Sequence, residues 1–254
     1  MAEFLGITSV VGAALLSVAP VLAQKAPEVC EITVWKVKAG AGAAWADGRK
    51  KHMEFHKQQK DAFGWYTWEV INGDRAGNFI TGTFDHYWKD YDGREAFDAL
   101  DGADVAKTTG PATESSSDGY WIHMSDASRN DPAATGPSKY SQLVHYYVRI
   151  ADVPRFEDAL KTITAELNKT TWTTYSSWYR LSSGGDGPHY VLSTRRNSFA
   201  DFAPPEKGLL SVLTDSMGAI KATALLDVVR GSTERLYSEL IQYRPDLSYT
   251  PTAK

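Results

Sequence analysis

Two hydrophobic periods alternate along this chain, one of two residues and one of three to four. The segment 32–37 alternates apolar and polar side chains, which is typical of a half-buried strand. Across 153–168, apolar residues recur at spacings of three and four, which predicts an amphipathic helix. In the first half, these patterns predict strand, helix, strand, strand, helix and strand at 32–37, 43–60, 65–71, 79–84, 88–106 and 120–124.

The second half predicts the same order of elements, and a shift of 111 residues brings the two halves into register. This shift places Trp35 over Tyr146 and Trp45 over Phe156, so aromatic positions coincide although identity is low. Self-similarity at a fixed shift indicates a duplicated unit. The predicted segments are a first unit at 29–125, a turn-rich linker at 126–138 and a second unit at 139–247.

The order strand-helix-strand-strand-helix-strand is that of a ferredoxin-like unit. That order, the glycine and aromatic residue that open the first helix (Gly42, Trp45) and the aromatic turn after the third strand (Trp88, Tyr91) resemble the dimeric α+β-barrel superfamily. This superfamily includes antibiotic-biosynthesis-type monooxygenases, haem-degrading monooxygenases and chlorite dismutase-like proteins. The resemblance implies an α+β fold of two tandem βαββαβ units whose sheets face each other in an α+β barrel. It transfers no catalytic motif to any residue of this chain.

The N-terminus predicts export. Residues 4–23 carry no charged side chain, and Val21-Leu22-Ala23 has the small-x-small pattern of a cleavage site. We therefore expect a signal peptide at 1–23 and a periplasmic or secreted protein. The alternative is an uncleaved anchor, because about 20 apolar residues can span a bilayer. Gly and Pro residues within the segment make it a poor permanent span, so we expect no stable membrane span after cleavage.

Composition narrows the function classes. The apolar fraction of 43% and charged fraction of 23% are ordinary for a globular protein. Because Cys30 is the single cysteine, neither an internal disulfide nor a cysteine metal cluster can form. A formal charge of −4 gives no electrostatic reason to expect a nucleic acid partner. The sequence also has no Gly-rich phosphate loop and no Gly-x-Ser-x-Gly motif, which argues against nucleotide chemistry and serine esterase chemistry.

Strand alternation directs a set of polar residues into the space between the two sheets. In the first strand of each unit, Lys36, His145 and Tyr147 lie on the face opposite the helices, and they would supply a cation, a base and a phenol. We interpret these three as candidate catalytic residues. The alternative is a solvated seam in which His145 bonds to a neighbour. Further candidate ligand-binding residues are Trp68, His123, Arg149 and Trp178.

His52 and His56 form a second candidate site. They are four residues apart on the first predicted helix, so they share a face and can bind one metal ion if a third ligand is present. Either could also be the axial ligand of a haem. The alternative is a partly exposed, polar helix face, because Arg49, Lys50 and Lys51 are close by.

Together these features predict an exported barrel that binds or acts on a small apolar or aromatic molecule in the inter-sheet cavity, in the manner of a monooxygenase. The alternatives are a non-catalytic binder of a small molecule or haem, and a purely structural or interaction protein. The sequence identifies no cofactor. An exposed sheet edge could also recruit a second copy into a homo-oligomer.

Overall fold

The computed structural model describes residues 28–251, and the predicted signal peptide lies outside them. No helix in that range is both long enough and apolar enough to cross a membrane. The strands are β1 (Glu28–Val37), β2 (Tyr66–Val70), β3 (Phe79–His86), β4 (Thr113–His123), β5 (Tyr140–Val148), β6 (Ser176–Ser183), β7 (His189–Arg196) and β8 (Thr233–Tyr243). The α-helices are α1 (Gly42–Gln59), α2 (Glu95–Thr108), α3 (Val153–Leu167), α4 (Leu209–Met217) and α5 (Ala219–Ser232).

The eight strands form one closed antiparallel barrel in the order β1-β3-β2-β8-β5-β7-β6-β4. Each unit supplies four adjacent strands, and the two half-sheets join edge to edge at two seams. Trp68 pairs with Tyr243 at the β2–β8 seam, and His123 pairs with Tyr179 at the β4–β6 seam. The predicted α+β barrel of two tandem ferredoxin-like units is confirmed.

Closure of the barrel removes one predicted route to an oligomer. Every described strand has a neighbour on both sides, so no sheet edge among residues 28–251 is free to pair with a second copy. The expectation of recruitment through an exposed edge is therefore wrong. A homo-oligomer formed through another surface stays a prediction.

The internal repeat ends partway through the second helical layer. Trp88–Tyr91 and Phe199–Phe202 are equivalent 3-10 helices, separated by the same 111 residues as the first strands. Beyond them, the first unit has α2 alone, whereas the second has α4 and α5. The final strands begin at Thr113 and Thr233, which are 120 residues apart. The two units therefore differ most in the helices that cover the outer face of the barrel.

The hydrophobic residues form one core inside the barrel and others between the barrel and its helices. The inner core contains residues of both units: Trp68, Val70, Ile80 and Ile241, packed by Ile32, Val34 and Leu143. The outer core of the first unit is built from Trp45, Ala46, Phe79, Ala112 and Leu247. In the second unit it is built from residues that include Val148, Phe156, Leu160, Trp178 and Tyr190. Because the inner core is shared, neither unit can bury its inward face without the other.

Helix α2 docks against α1 in an unusual way. It has no fully buried residue, and its aromatic contact with α1 is made by the half-buried Phe97, whose ring lies 6.0 Å from that of Phe55. The backbones approach closely at Gly48, where an added Cβ would overlap the carbonyl of Thr108. This approach brings the acidic side chains of α2 within reach of the histidines of α1.

Replacement of Gly48 by Ala should therefore push α2 away from α1. Overpacking of this kind costs about 1–3 kcal/mol, and we expect a lower midpoint of thermal unfolding. Gly102→Ala is the matched control because Gly102 is on α2, and an added Cβ there meets nothing within 4 Å. Since Ala favours a helix over Gly, this control should gain about 0.5–1 kcal/mol. Equal effects of the two substitutions on stability would contradict the close approach.

Candidate functional site

His145 lies inside the barrel, in a buried polar network that joins both units. We define this network as His145, His189, Glu239 and Arg75. His189 Nε2 donates to His145 Nδ1 over 3.0 Å, and His145 Nε2 donates to Glu239 Oε1 over 3.3 Å. Arg75, in the loop between β2 and β3, donates from Nε to Glu239 Oε2 over 3.0 Å and from Nη2 to Oε1. Both nitrogens of His145 are thus engaged.

Burial controls the charges in this network. It lowers the pKa of His189 from 6.5 to about 3, with a further contribution from the charges of His145, Arg75 and Arg235. Burial also lowers the pKa of His145, although Glu239 opposes the shift. For Glu239, hydrogen bonds from His145 and Arg75 outweigh burial and lower the pKa of the carboxyl. Two neutral imidazoles therefore accompany one buried Arg–Glu ion pair.

Tyr147 lies next to this network, on the inward side of β5 where strand alternation places it. Its ring stacks on His189 at a centroid distance of 4.2 Å, and the Arg235 guanidinium lies 4.9 Å from the ring. Neither Tyr147 nor His145 lines either of the two cavities described below. The network is a well-bonded part of the barrel interior.

Lys36 and Arg149 lie outside the interior, contrary to the prediction. Lys36 is exposed and pairs with Glu114 over 2.6 Å, and Arg149 is exposed and pairs with Asp152 over 2.8 Å. The physical reason is that both lie at a strand end. Lys36 is the last residue but one of β1, and Arg149 follows the last residue of β5. A long charged side chain at the end of a barrel strand can extend past the rim into solvent.

Trp178 also lies away from the interior. Its ring packs against Phe156 of α3 and Tyr146 of β5, in the outer core of the second unit. Both faces of β6 carry aromatic or apolar residues, so the pattern of that strand did not define its inward face. Trp178 is therefore not part of the barrel interior, and its predicted role in ligand binding stays a prediction.

A cavity of about 240 Å³ lies at the end of the barrel where β1 begins and β4 ends. We call it the mouth cavity, and its lining includes Glu28, Cys30, Phe84, Asp85, His123 and Tyr179. His123 Nδ1 lies 3.2 Å from Glu28 Oε2, and the His123 and Tyr179 rings are 5.3 Å apart. His123 Nε2 is buried and has no hydrogen-bond partner among the described residues. The predicted residue His123 is thus located at a cavity that both units line.

An irregularity in β3 shapes this cavity. Val29 pairs with His86 and Glu31 with Thr83, so Phe84 and Asp85 together lie opposite a single residue of β1. Asp85 has a φ of +63°, in the left-handed region. Bulges and positive φ values are enriched next to active sites. Here the bulge lets two consecutive residues line the same cavity, which regular alternation would forbid.

Two further cavity residues keep their protons. Burial raises the pKa of the Cys30 thiol, with Asp85 adding to the shift, and the thiol contacts the Trp121 carbonyl oxygen at 3.6 Å. A protonated thiol is a poor nucleophile. Burial likewise raises the pKa of the Tyr179 phenol, so its hydroxyl is a hydrogen-bond donor at neutral pH.

Trp68, another predicted ligand-binding residue, lies deeper in the inner core. Its ring meets Phe84 edge-on at 5.9 Å, and Phe84 separates it from the mouth cavity. The Trp68 Nε1 donor is buried and has no hydrogen-bond partner within residues 28–251. It can contact a ligand only if Phe84 moves.

His52 and His56 are almost fully buried, so the alternative of a partly exposed helix face is wrong. His52 Nδ1 lies 2.8 Å from Asp104 Oδ1, and His56 Nδ1 lies 2.9 Å from Asp61 Oδ2. The two Nε2 atoms face each other at 3.1 Å, with Asp101 beside both. Burial, with the neighbouring charges of Arg49 and His56, lowers the pKa of His52 to about 2.

The sequence interpretation missed the acidic partners of the histidines. Glu28 pairs with His123 across β1 and β4, and a correct register for those strands would have revealed it. Asp101 and Asp104 belong to the acid-rich helix α2, in which no local spacing distinguishes them from other acids. Glu239 reaches His145 only through the pairing of β5 with β8.

Comparison with known proteins finds similar folds but no similar sequences. No family model matches the chain, and no curated protein is detectably similar in sequence. Among solved structures, a candidate monooxygenase from Lactobacillus acidophilus NCFM has a TM-score of 0.53 and 8% identity over 89% of this chain and 97% of its own. An anthrone oxidase-like protein has a TM-score of 0.53 and 14% identity, covering 87% and 92%.

A mutant chlorite dismutase from Candidatus Nitrospira defluvii has a TM-score of 0.52 and 8% identity, covering 88% of this chain and 94% of its own. At such low identity, these likenesses establish the fold alone. The protein therefore shares the α+β-barrel fold of these solved structures, and its two units form that barrel within one chain.

Removal of Arg75 should leave Glu239 buried without its cation. Breaking a buried pair in this way costs about 3 kcal/mol, so Arg75→Ala should lower the free energy of unfolding by that amount. The exposed pair of Lys207 and Asp215 supplies a control, because Lys207→Ala should cost less than about 1 kcal/mol. Chemical denaturation of both variants measures the difference, and a loss for Arg75→Ala no larger than the control would contradict this role.

His189 should make stability depend on pH. Its pKa is about 3 when folded and near 6.5 when unfolded, so only the unfolded chain takes up this proton between those values. Stability from this group is present above pH 6.5 and is lost as the pH falls towards 3. In His189→Gln, the slope of unfolding free energy against pH between 4 and 5.5 should decrease by about 1.4 kcal/mol per pH unit. Denaturant titrations across this range test the change in slope, and an unchanged slope contradicts it.

Proposed function

We propose that the protein binds a small aromatic molecule in the mouth cavity and that His123 acts on it as a general base. The observation that carries this proposal is the state of the His123 ring. The ring lines the cavity, its Nδ1 is held by Glu28, and its Nε2 is buried with no hydrogen-bond partner among the described residues. A buried polar atom in a cavity wall favours a ligand that supplies the missing bond.

The size and lining of the cavity support an aromatic ligand. A cavity of about 150 Å³ can hold benzene, so the roughly 240 Å³ here suits one substituted ring. Phe84 and Tyr179 supply aromatic surface. Much of the remaining lining is polar, from Glu28, Asp85, Asn130 and Ser177. The cavity therefore suits a ring that carries hydrogen-bonding substituents.

The hydrogen bond to Glu28 sets the direction of proton transfer. A carboxylate accepts only, so His123 carries its proton on Nδ1 and presents a lone pair at Nε2. A phenol or enol hydroxyl in the cavity would donate to Nε2 and could pass its proton there. Glu28 would stabilise the resulting imidazolium, and the Tyr179 hydroxyl would donate to the developing oxyanion.

Some structural neighbours are named after oxidising enzymes, which is consistent with this step, but the similarity to them is one of fold only. They include a candidate monooxygenase and an anthrone oxidase-like protein. A monooxygenase-like reaction in this chain would begin with deprotonation of the aromatic ligand, which makes the ring electron-rich. Because a shared fold is weak support for shared chemistry, we base the proposal on His123 and its surroundings.

Haem binding, the alternative function, does not fit the described cavities. An outer groove of about 470 Å³ beside α1 has no His, Cys, Met or Tyr among its described lining residues to serve as an axial ligand. The mouth cavity contains His123 but is too small for a porphyrin. His52 and His56 have both ring nitrogens engaged or facing each other.

We also propose that the protein is exported and acts outside the cytoplasm. The uncharged segment 4–23 and its cleavage pattern favour action outside the cytoplasm.

Phenol and anisole test the proposed base, because anisole has the same ring without the O–H donor. We expect the intact protein to bind phenol more tightly than anisole. His123→Ala should weaken phenol binding about tenfold, the value of one hydrogen bond, while anisole binding changes little. The control is Lys36→Ala, since Lys36 is exposed at the other end of β1. Calorimetric titration measures all affinities, and equal binding of phenol and anisole, or an unchanged phenol affinity in His123→Ala, would overturn the proposal.

A further inference from the structure

We infer that His52, His56 and Asp101 bind one divalent first-row transition metal ion between α1 and α2. Three ligand atoms converge at this point. His52 Nε2 and His56 Nε2 are 3.1 Å apart, and Asp101 Oδ1 lies 3.4 Å from the first and 3.2 Å from the second. The histidines come from α1 and the carboxylate from α2, so the site lies in the helical layer outside the barrel.

These separations match those of atoms that share one ion. Ligands 2.0–2.1 Å from a tetrahedral zinc ion lie about 3.3–3.4 Å from each other. Adjacent ligands of a six-coordinate ion at similar distances lie about 3 Å apart. The triangle of 3.1, 3.2 and 3.4 Å falls across this range and needs no rearrangement of the helices.

The hydrogen bonds around the triangle leave three acceptors facing one another. Each imidazole donates through Nδ1 to a carboxylate, His52 to Asp104 and His56 to Asp61. In the neutral ring this leaves a lone pair on each Nε2. Asp101 Oδ1 is buried, and its contacts with the two nitrogens lack hydrogen-bond geometry. Three lone pairs at such distances repel one another unless a cation lies between them.

The outer contacts have the form found around metal-binding histidines. Such histidines almost always donate their other ring N–H to a carboxylate or carbonyl, which fixes the ring and raises its basicity. Asp61 is itself fixed by the Trp65 indole at 2.8 Å and by Arg94 at 3.0 Å. Asp61 and Asp104 therefore position the ligands, and Asp101 is free to complete the set.

The local charges and ligand types indicate the class of ion. Three carboxylates, Asp61, Asp101 and Asp104, surround the site, against two nearby cations, Arg49 and Arg94. Their sum is negative, which favours a divalent cation. Two imidazoles and one carboxylate suit zinc, cobalt or ferrous iron, whereas magnesium and calcium prefer oxygen ligands alone.

The position of the site indicates what the ion would do. Helix α2 buries no residue of its own, so a bond from Asp101 to an ion held by α1 would tie it to the barrel. The histidine side chains are about 2% exposed or less, while those of Asp101 and Asp104 are 25% and 26% exposed, so the ion would enter from the α2 side. An ion that binds only the folded chain stabilises it by mass action.

The test uses the full chain without a histidine tag, stripped with a chelator and titrated with Zn²⁺ and Co²⁺. We expect one ion per chain with micromolar or tighter affinity, an absorption band of the bound Co²⁺ in the visible range and a higher unfolding temperature. Asp101→Asn should weaken binding at least 100-fold. Glu95→Gln is the matched control, because Glu95 is an exposed acid on the same helix and lies outside the triangle; the affinity of this variant should equal that of the intact chain.

Asp104→Asn separates a positioning residue from a ligand. It keeps the shape of the side chain but weakens the acceptor for His52, and loss of such a partner costs 10–100-fold in affinity. The Co²⁺ band should persist in Asp104→Asn and disappear in Asp101→Asn. Circular dichroism of the stripped variants confirms that each is folded.

Two results would overturn the inference. One is the absence of stoichiometric Zn²⁺ or Co²⁺ binding, in which case a shared proton joins the two imidazoles. The other is equal affinity in Asp101→Asn and Glu95→Gln, which would place the ion elsewhere. The inference does not depend on the mouth cavity, because no residue of the triangle lines it.

Discussion

The hydrogen bonds that close the barrel determine where the interior network and the mouth cavity lie. β2 pairs with β8 and β4 pairs with β6, so neither half-sheet has a free edge and each supplies half of the inner wall. The interior network consequently joins Arg75 of the first unit to Glu239 of the second. The mouth cavity likewise lies at a seam, with His123 on one side and Tyr179 on the other. A single unit could form neither arrangement.

The sequence predicted the architecture and part of the interior, because period-two alternation is a property of the strand itself. It placed His145 and Tyr147 inside the barrel, since the middle of β5 is regular. It failed for Lys36 and Arg149 because Lys36 lies at the end of β1 and Arg149 lies beyond the end of β5. The alternation pattern does not show where a strand reaches the rim of the barrel.

Within each candidate site, only residues that are close together in the sequence could be predicted as neighbours. The helical period identified His52 and His56 as neighbours, but their partners are on a helix that starts at Glu95 and on a loop. Nothing in an acid-rich helix indicates which carboxylate will face a histidine. The pairing of Glu28 with His123 likewise depends on the register between two strands far apart in the chain. The acidic partner of each histidine is brought to it by tertiary contacts, which the local sequence pattern does not encode.

The two seams also show what duplication within one chain permits. Trp68 opposite Tyr243 at one seam occupies the place that Tyr179 opposite His123 occupies at the other, by the repeat offsets of 111 and 120 residues. One seam is filled with large rings, and the other keeps a cavity with an acid–base pair. A homodimer with identical subunits must build both seams alike. A fused chain can devote one seam to rigidity and the other to chemistry, so its two halves can diverge in sequence without losing the shared barrel.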